Sequence, residues 1–307
     1  MTNHHPEHGS GEGQCAFEEL CGRRNSTVRL IDPRMPELAR CLTLLQYVQA
    51  VTGGPVARIE QAGNYAVPSL RGEAFTVQPG SIALRVDGEG VASALVVRDK
   101  SSGAVALRLL DASGRTVHQG ELLSEGDRLL VSLAGAPDIG ALFTKGATVP
   151  ESPAWEDGDQ LAQLDAILVD GGAARRASFD RYRGEHRAID VGVLPAVLEH
   201  VCSAGLPIGV AVFAPAAMQA YSGRVHVTDQ TVGGRVFAAF AESSVQIDLA
   251  GVRACHLVRS TAAHGPTSAI ELDDEDGRCV AVITQLGMVG EHVHTAWEHL
   301  AASLPYG

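Results

Sequence analysis

VDGEGVASALVVR, residues 86–98, returns as IDLAGVRACHLVR at 247–259. ALRLLDASGR at 106–115 returns as AIELDDEDGR at 269–278, and QAVTGGPVAR at 49–58 is read against QAYSGRVHV at 219–227. The copies stand 161 to 170 residues apart, so a few small insertions align them. Solenoid units recur every few tens of residues, so a period this long marks a duplicated half-protein instead. A site assembled from two related halves is the expectation.

Each copy reads as helices followed by strands. From Pro36 to Val51, apolar residues recur at Leu38, Cys41, Leu42, Leu45 and Val48, which predicts a helix. Residues of about 54–125 carry strand-like runs such as ALVVR and VALRLL between Gly-Gly, Pro-Gly, Asp-Gly-Glu-Gly and Ala-Ser-Gly turn signals. TVPESPAWEDGDQ (148–160) has no periodicity and reads as a linker. Residues 160–204 read as two or three helical pieces. Leu161, Leu164, Ile167 and Leu168 stripe one, which Gly171-Gly172 stops, and Val193, Val197 and Val201 mark another. Residues 208–285 repeat the β pattern, and Glu291–Leu304 closes the chain with Trp297, Leu300 and Leu304 on one helical side. The expected organisation is a disordered tail (1–16), an N-terminal repeat (17–147), the linker (148–160) and a C-terminal repeat with its linking helices (161–307). The fold class is α+β: an internal duplication with two large antiparallel β-sheets and flanking and linking helices.

The 307 residues are 45% hydrophobic and 20% charged, ordinary for a globular chain. A net charge of −12 with interspersed signs argues against nucleic acid, which needs a basic face. Six cysteines without a CxxC pair read as thiols of a reducing compartment. No apolar run reaches a membrane span, so no membrane insertion is expected, and the polar N-terminus lacks a signal-peptide core. The expectation is a cytoplasmic protein.

In the second half Gln219-x-x-x-Gly223 opens a strand, Val258-Arg259 ends another, SAIELDDEDGR follows, and Trp297 sits in the terminal helix. In the first half the corresponding stretches are TVRLIDPRMPELARCL, PGSIALR and LLDASGRTVHQG. In this order, over about residues 17–305, they resemble the HemS/ChuS-type haem-utilisation proteins. The resemblance implies a cytoplasmic protein holding haem in a cleft between a sheet and the linking helices, to pass it on or to open its ring. It also implies an axial histidine near the start of those helices. Counted back from Arg175-x-x-x-Phe179, that position is Ala162, and alanine cannot ligate iron. The family's lysine after the Val-Arg pair is Ser260, and its last-strand glutamine, tyrosine and arginine fall on Val282, Thr284 and Gly287. Its first-half histidine stretch becomes Glu89, Gly90, Val91 and Ala92. Arg175, which in the family faces a haem propionate, is kept.

Haem iron wants an imidazole or another soft donor, and the porphyrin wants an apolar slot with cations for its propionates. His256 is the candidate metal ligand, because it lies four residues before Ser260 and so shares its face of an unbroken strand. The plainer alternative is a half-buried strand residue with a backbone partner. Arg175 and Arg176 follow a Gly-Gly break and could converge on an anion. With Phe179, Thr284 and His256 they form the expected cofactor-binding set. His186 is a second ligand candidate among charged neighbours. His118 reads as structural, His226 and His264 as turn or edge residues, and His292, His294 and His299 as surface residues. Asp273–Asp276 reads as an acidic hairpin turn, and His4, His5 and His8 as a solvated tail. No GxSxG, P-loop, GxGxxG or HExxH signature is present.

Three functional readings follow. The first is a haem or tetrapyrrole carrier or buffer, which implies a protein partner for transfer. The second is a ligand-divergent scaffold for another apolar cofactor or a protein. The third is a haem-degrading oxygenase with a substitute axial ligand.

Overall fold

The computed structural model describes residues 26–31, 38, 41–73, 75, 77–78, 80–133, 159–174, 186–231, 233–262, 265–286 and 289–307. The first repeat runs β1 (Ser26–Ile31), β2 (Val48–Gly53), β3 (Ala57–Tyr65), β4 (Ser69–Leu70), β5 (Ser81–Val86), β6 (Val91–Asp99), β7 (Val105–Asp111), β8 (Thr116–Leu122) and helix α1 (Glu125–Leu133). Helix α2 (Asp159–Asp170) leads into the second repeat. That repeat runs β9 (His186–Ala188), α3 (Leu194–Ser203), β10 (Pro207–Ala214), β11 (Ala217–Arg224), β12 (Val227–Gln230), β13 (Arg235–Ala239), β14 (Ser243–Asp248), β15 (Ala254–Ala262), β16 (Gly265–Asp273), β17 (Cys279–Thr284) and α4 (Glu291–Ser303).

The strands make two mostly antiparallel sheets, with β4 joining β5 in parallel, and the repeats exchange strands between them. The first sheet is ordered β1-β6-β7-β8-β2-β3, and β14-β13-β12 of the second repeat continue it from β3. The second is ordered β9-β15-β16-β17-β10-β11, and β5 of the first repeat continues it from β11, with β4 beyond. The first seven strands of the two orders correspond one to one, from β1 against β9 to β14 against β5, so the duplication is one of topology as well as sequence. Neither repeat completes its sheet alone.

This equivalence corrects one sequence alignment. Gln49 lies in β2 whereas Gln219 lies in β11, whose counterpart in pairing order is β3. Gln61 therefore matches Gln219, 158 residues away, and the two side chains meet at 3.4 Å. The same offset pairs Arg29-Leu-Ile-Asp32 with Arg187-Ala-Ile-Asp190. In both copies the arginine donates to carbonyls of the closing helix or just beyond it: Arg29 to Val131, and Arg187 to Ala301 (3.0 Å) and Pro305 (3.3 Å). A cation there offsets the unsatisfied carbonyls of a helix C-terminus. The Asp-x-x-Gly turns also match. Asp111 Oδ1 accepts from the backbone of Ser113 and Arg115, and Asp274 Oδ1 from that of Asp276 and Arg278. Gly114 (φ 77°) and Gly277 (φ 71°) supply the left-handed step each turn needs.

Two further expectations are revised. The helix expected to Val51 gives way to β2, which starts at Val48, because the alternating burial of VQAVTG seats Val48 and Ala50 in the core. Residues 160–204 are not all helical: β9 interrupts them, pairing with β15. Trp297 closes the second repeat's core as expected, fully buried with its indole N–H on Ser268 O at 2.8 Å.

Candidate functional site

Helix α2 lies against the second sheet. Its stripe of Leu161, Leu164, Ile167 and Leu168 packs on Ala211, Phe213, Met218, Ala269 and Val282. Gly171 (φ 69°) and Gly172 (φ 82°) end it, with Gly171 N–H returning to Ile167 O at 2.8 Å. This is the surface on which the sequence places the haem cleft. Ser260, Val282 and Thr284 do face α2, but helix and sheet are in direct contact. Gln160 Nε2 donates to Thr284 Oγ1 (3.1 Å) and to Gln285 O (3.3 Å), and Gln163 donates to Glu271. Thr284, expected to face a ligand, is wholly buried and spends its hydroxyl proton on Ser268 O at 2.8 Å. A macrocycle cannot lie between α2 and the sheet along that stretch.

The chemistry of the seam agrees. Ser260 Oγ, Gln160 Oε1 and Gln163 Oε1 are buried without a hydrogen-bond partner among the described residues. Amide oxygens call for donors, and a buried polar atom left unmatched costs about 1–3 kcal/mol. Haem's rim brings carboxylates, which are acceptors: the Ser260 hydroxyl can donate to one, but the two amide oxygens do not fit them. Ala162 is exposed on α2 and offers only a methyl group.

His256 sits at the margin of this seam. Strand β15 pairs it with Glu271 on one side and Ala188 on the other, so it shares the α2-side face with Val258 and Ser260, as alternation requires. It is half-buried, and its Nε2 stands 3.6 Å from Asp273 Oδ2. In metal-ligating histidines a carboxylate takes the ring N–H opposite the metal, whereas here it faces Nε2 itself. Arg175, Arg176 and Phe179 lie outside the described residues, as do the N-terminal histidines, Gly287, His264 and most of the linker. Among the described residues no cluster of three His, Cys, Asp or Glu side chains is placed to hold a bare metal ion. His186 is half-buried at the start of β9 rather than plainly exposed, and His294 is half-buried against Gln285 at 3.2 Å rather than a free surface residue. His226 and His299 are exposed.

The strongest polar features are ones that sequence reasoning passed over. Arg85, fully buried in β5, grips Asp165 of α2 through Nε (2.6 Å) and Nη2 (2.9 Å). Its Nη1 reaches Ser69 Oγ and Glu73 O, and its guanidinium lies 5.6 Å from the Phe75 ring centre. This fork locks the linking helix to a first-repeat strand within the second sheet. A lone arginine inside the apolar run IALRV was its only sequence signal. A second feature ties the sheets together. Thr52 Oγ1 donates to Gln219 Oε1 (2.9 Å), Gln219 to Gln61 Oε1, and Gln61 to Ser81 O (2.9 Å). With its proton spent, Thr52 can only accept from His118 Nδ1 (2.7 Å), so His118 Nε2 accepts from Tyr65 OH (2.7 Å). The wholly buried His118 is thus a neutral Nδ1–H tautomer, and burial pushes its imidazole down to about 3. Burial also pushes the Tyr65 phenol far up. His118 is structural, as expected.

No family model and no curated protein sequence matches the chain. Solved structures do. The haem-binding protein PhuS of Pseudomonas aeruginosa, in its apo form, superimposes with a TM-score of 0.67 at 20% identity, covering 91% of this chain and 87% of PhuS. The E. coli haem oxygenase ChuS superimposes with a TM-score of 0.69 at 15% identity, covering 90% of this chain and 88% of ChuS. A second ChuS structure, described as the haem-degrading enzyme of E. coli O157:H7, gives 0.67 at 16% identity, with 90% and 86% covered. The likeness carried by the residues is therefore a likeness of fold: the chain is built on the duplicated two-sheet architecture of the HemS/ChuS-type proteins.

Proposed function

We propose that the protein binds haem or a related tetrapyrrole and acts as a carrier or buffer. The observation that carries this reading is the fold, shared over nine-tenths of the chain with one protein that binds haem and another that degrades it. Among the described residues no helix is long and apolar enough to cross a membrane. Ring opening needs iron held at a fixed distance from a distal oxygen space. By the family resemblance the ligand position falls on Ala162, and the substitute we propose, His256, has Asp273 beside its Nε2. Iron binding through that nitrogen competes with the carboxylate, which favours exchangeable binding over a rigid catalytic centre. Arg175 and Arg176 are the proposed propionate partners, with Phe179 against the macrocycle, and cytoplasmic haem transfer to a protein partner is the proposed setting.

The second reading, a scaffold turned to another ligand or partner, is favoured by the direct contact of α2 with the sheet. A hemin titration followed at the Soret band separates the two. Saturable binding with a sharp low-spin band that His256→Ala removes supports the carrier. A broad spectrum like that of free hemin favours the divergent scaffold. Loss of the Soret band on adding a reductant would instead show ring opening.

A further inference from the structure

On the opposite face of the second sheet from α2, a cleft of about 750 Å³ opens between α4 and the β9–β15 edge. Its helical wall is the stripe Thr295, Glu298, His299 and Ala302, at the i, i+3, i+4, i+7 spacing of one helix face. Leu257 lies on its floor, and Arg187, Arg259 and Tyr306 stand around it. We infer that this cleft is a second site, separate from the one proposed at His256, and that it binds a flat aromatic dicarboxylate of porphyrin size; it goes beyond the tetrapyrrole reading and uses none of its residues.

The argument rests on charge, shape and stacking. Arg187 stands directly across from Leu257, so Arg259, two residues on, projects on the same face. Diagonal neighbours of this kind lie about 7–8 Å apart. Two like charges presented from neighbouring positions of one sheet face favour an anion between or beside them. The whole chain carries −12, so this pair is not a sample of a basic surface. The cleft's carboxylate, Glu298, is occupied: it accepts from Ser268 N–H (2.7 Å) and Ser268 Oγ (2.8 Å), and meets Arg259 only at 3.5 Å. Arg187 spends two of its five N–H donors on Ala301 O and Pro305 O and keeps the others. Its guanidinium is stacked 4.6 Å from the centre of the Tyr306 ring, which is itself 82% exposed. A planar ligand can extend that stack over the aliphatic floor while its two carboxylates take one arginine each. The volume accommodates a macrocycle, and none of these contacts needs a metal.

Metal-free protoporphyrin IX is accordingly the probe, because it carries both carboxylates and asks for no axial ligand. Porphyrin fluorescence titrated with the full chain should show saturable binding. Arg259→Gln should weaken it at least tenfold, Arg259→Lys should restore part of the loss, and Tyr306→Ala should weaken it several-fold. Arg235→Gln, at an exposed arginine outside the cleft, should leave it unchanged. Arg259 and Tyr306 are both exposed, and an unchanged Tm verifies that the variants fold. Absence of saturable binding, or equal affinity in Arg259→Gln and the parent chain, overturns the inference. The carrier reading is judged separately: hemin binding that His256→Ala removes while Arg259→Gln preserves it keeps that reading and rejects this cleft. Porphyrin uptake without hemin uptake does the reverse.

Discussion

Acid should unlock the two sheets at His118. The imidazole is 1% exposed, already donates through Nδ1 to Thr52, and accepts through Nε2 from Tyr65. A second proton would place N–H against O–H at the Tyr65 contact and bury a cation with no carboxylate among its hydrogen-bond partners. In the unfolded chain the same residue titrates near 6.5, and in the folded one at about 3. Below 6.5 the unfolded state binds the proton and the native state does not, so stability is complete above that pH and falls as pH drops towards 3. Each pH unit well inside this window removes about 1.4 kcal/mol, so by pH 4.5 roughly 2.7 kcal/mol of the high-pH stability is lost from this residue alone. Urea unfolding of the parent chain and His118→Gln, each measured from pH 7.5 to 4, isolates the effect. The variant should be less stable at pH 7.5, because glutamine cannot serve both partners, yet show the shallower loss with acid. Parallel pH profiles would refute both the neutral tautomer and the directed chain of hydrogen bonds built on it.

Other consequences of the fold are testable in the same way. Removing one partner of the buried Arg85–Asp165 fork, by Asp165→Ala, should cost about 3–5 kcal/mol in urea unfolding, since it strands a guanidinium that has no exposed surface. A Cβ at Gly120 would stand 2.6 Å from the Tyr65 hydroxyl, so Gly120→Ala should push that phenol off His118 and lower Tm by several degrees. Burial, with Asp273 and Asp190 nearby, raises the Cys255 thiol to about 12. At pH 8 it should therefore resist a thiol reagent that modifies the half-buried Cys202, and react only once denaturant is added.

Local patterning made much of the architecture legible. The period-2 and period-3.6 patterns marked both meanders, the α2 stripe and the terminal helix with Trp297, because core burial stamps its spacing on the chain. The alignment of the repeats was legible only in part. QAVTGG resembles QAYSG as a string, yet pairing order matches Gln219 with Gln61, and the short RLID and RAID echoes that agree with this offset were passed over. Ala162 and Ser260 were readable as departures from the pattern of the family that the chain resembles. That α2 would close onto the sheet there was not, because contact depends on where Gln160 and Gln163 end up relative to Thr284 and Glu271, more than a hundred residues away.

The sequence by itself thus determined the duplication, the α+β class, the strand and helix stripes, and the absence of histidine at position 162. All of these are properties of residues near one another in the chain. Tertiary structure alone decided that each repeat lends strands to the other's sheet and that Thr52, His118, Tyr65 and Gln219 form one buried chain of donors. It also decided that Arg187 and Arg259 share a cleft. Such arrangements pair groups 50 to 170 positions apart, and nothing in the order of residues encodes which distant donor will meet which acceptor until the backbone has closed around them.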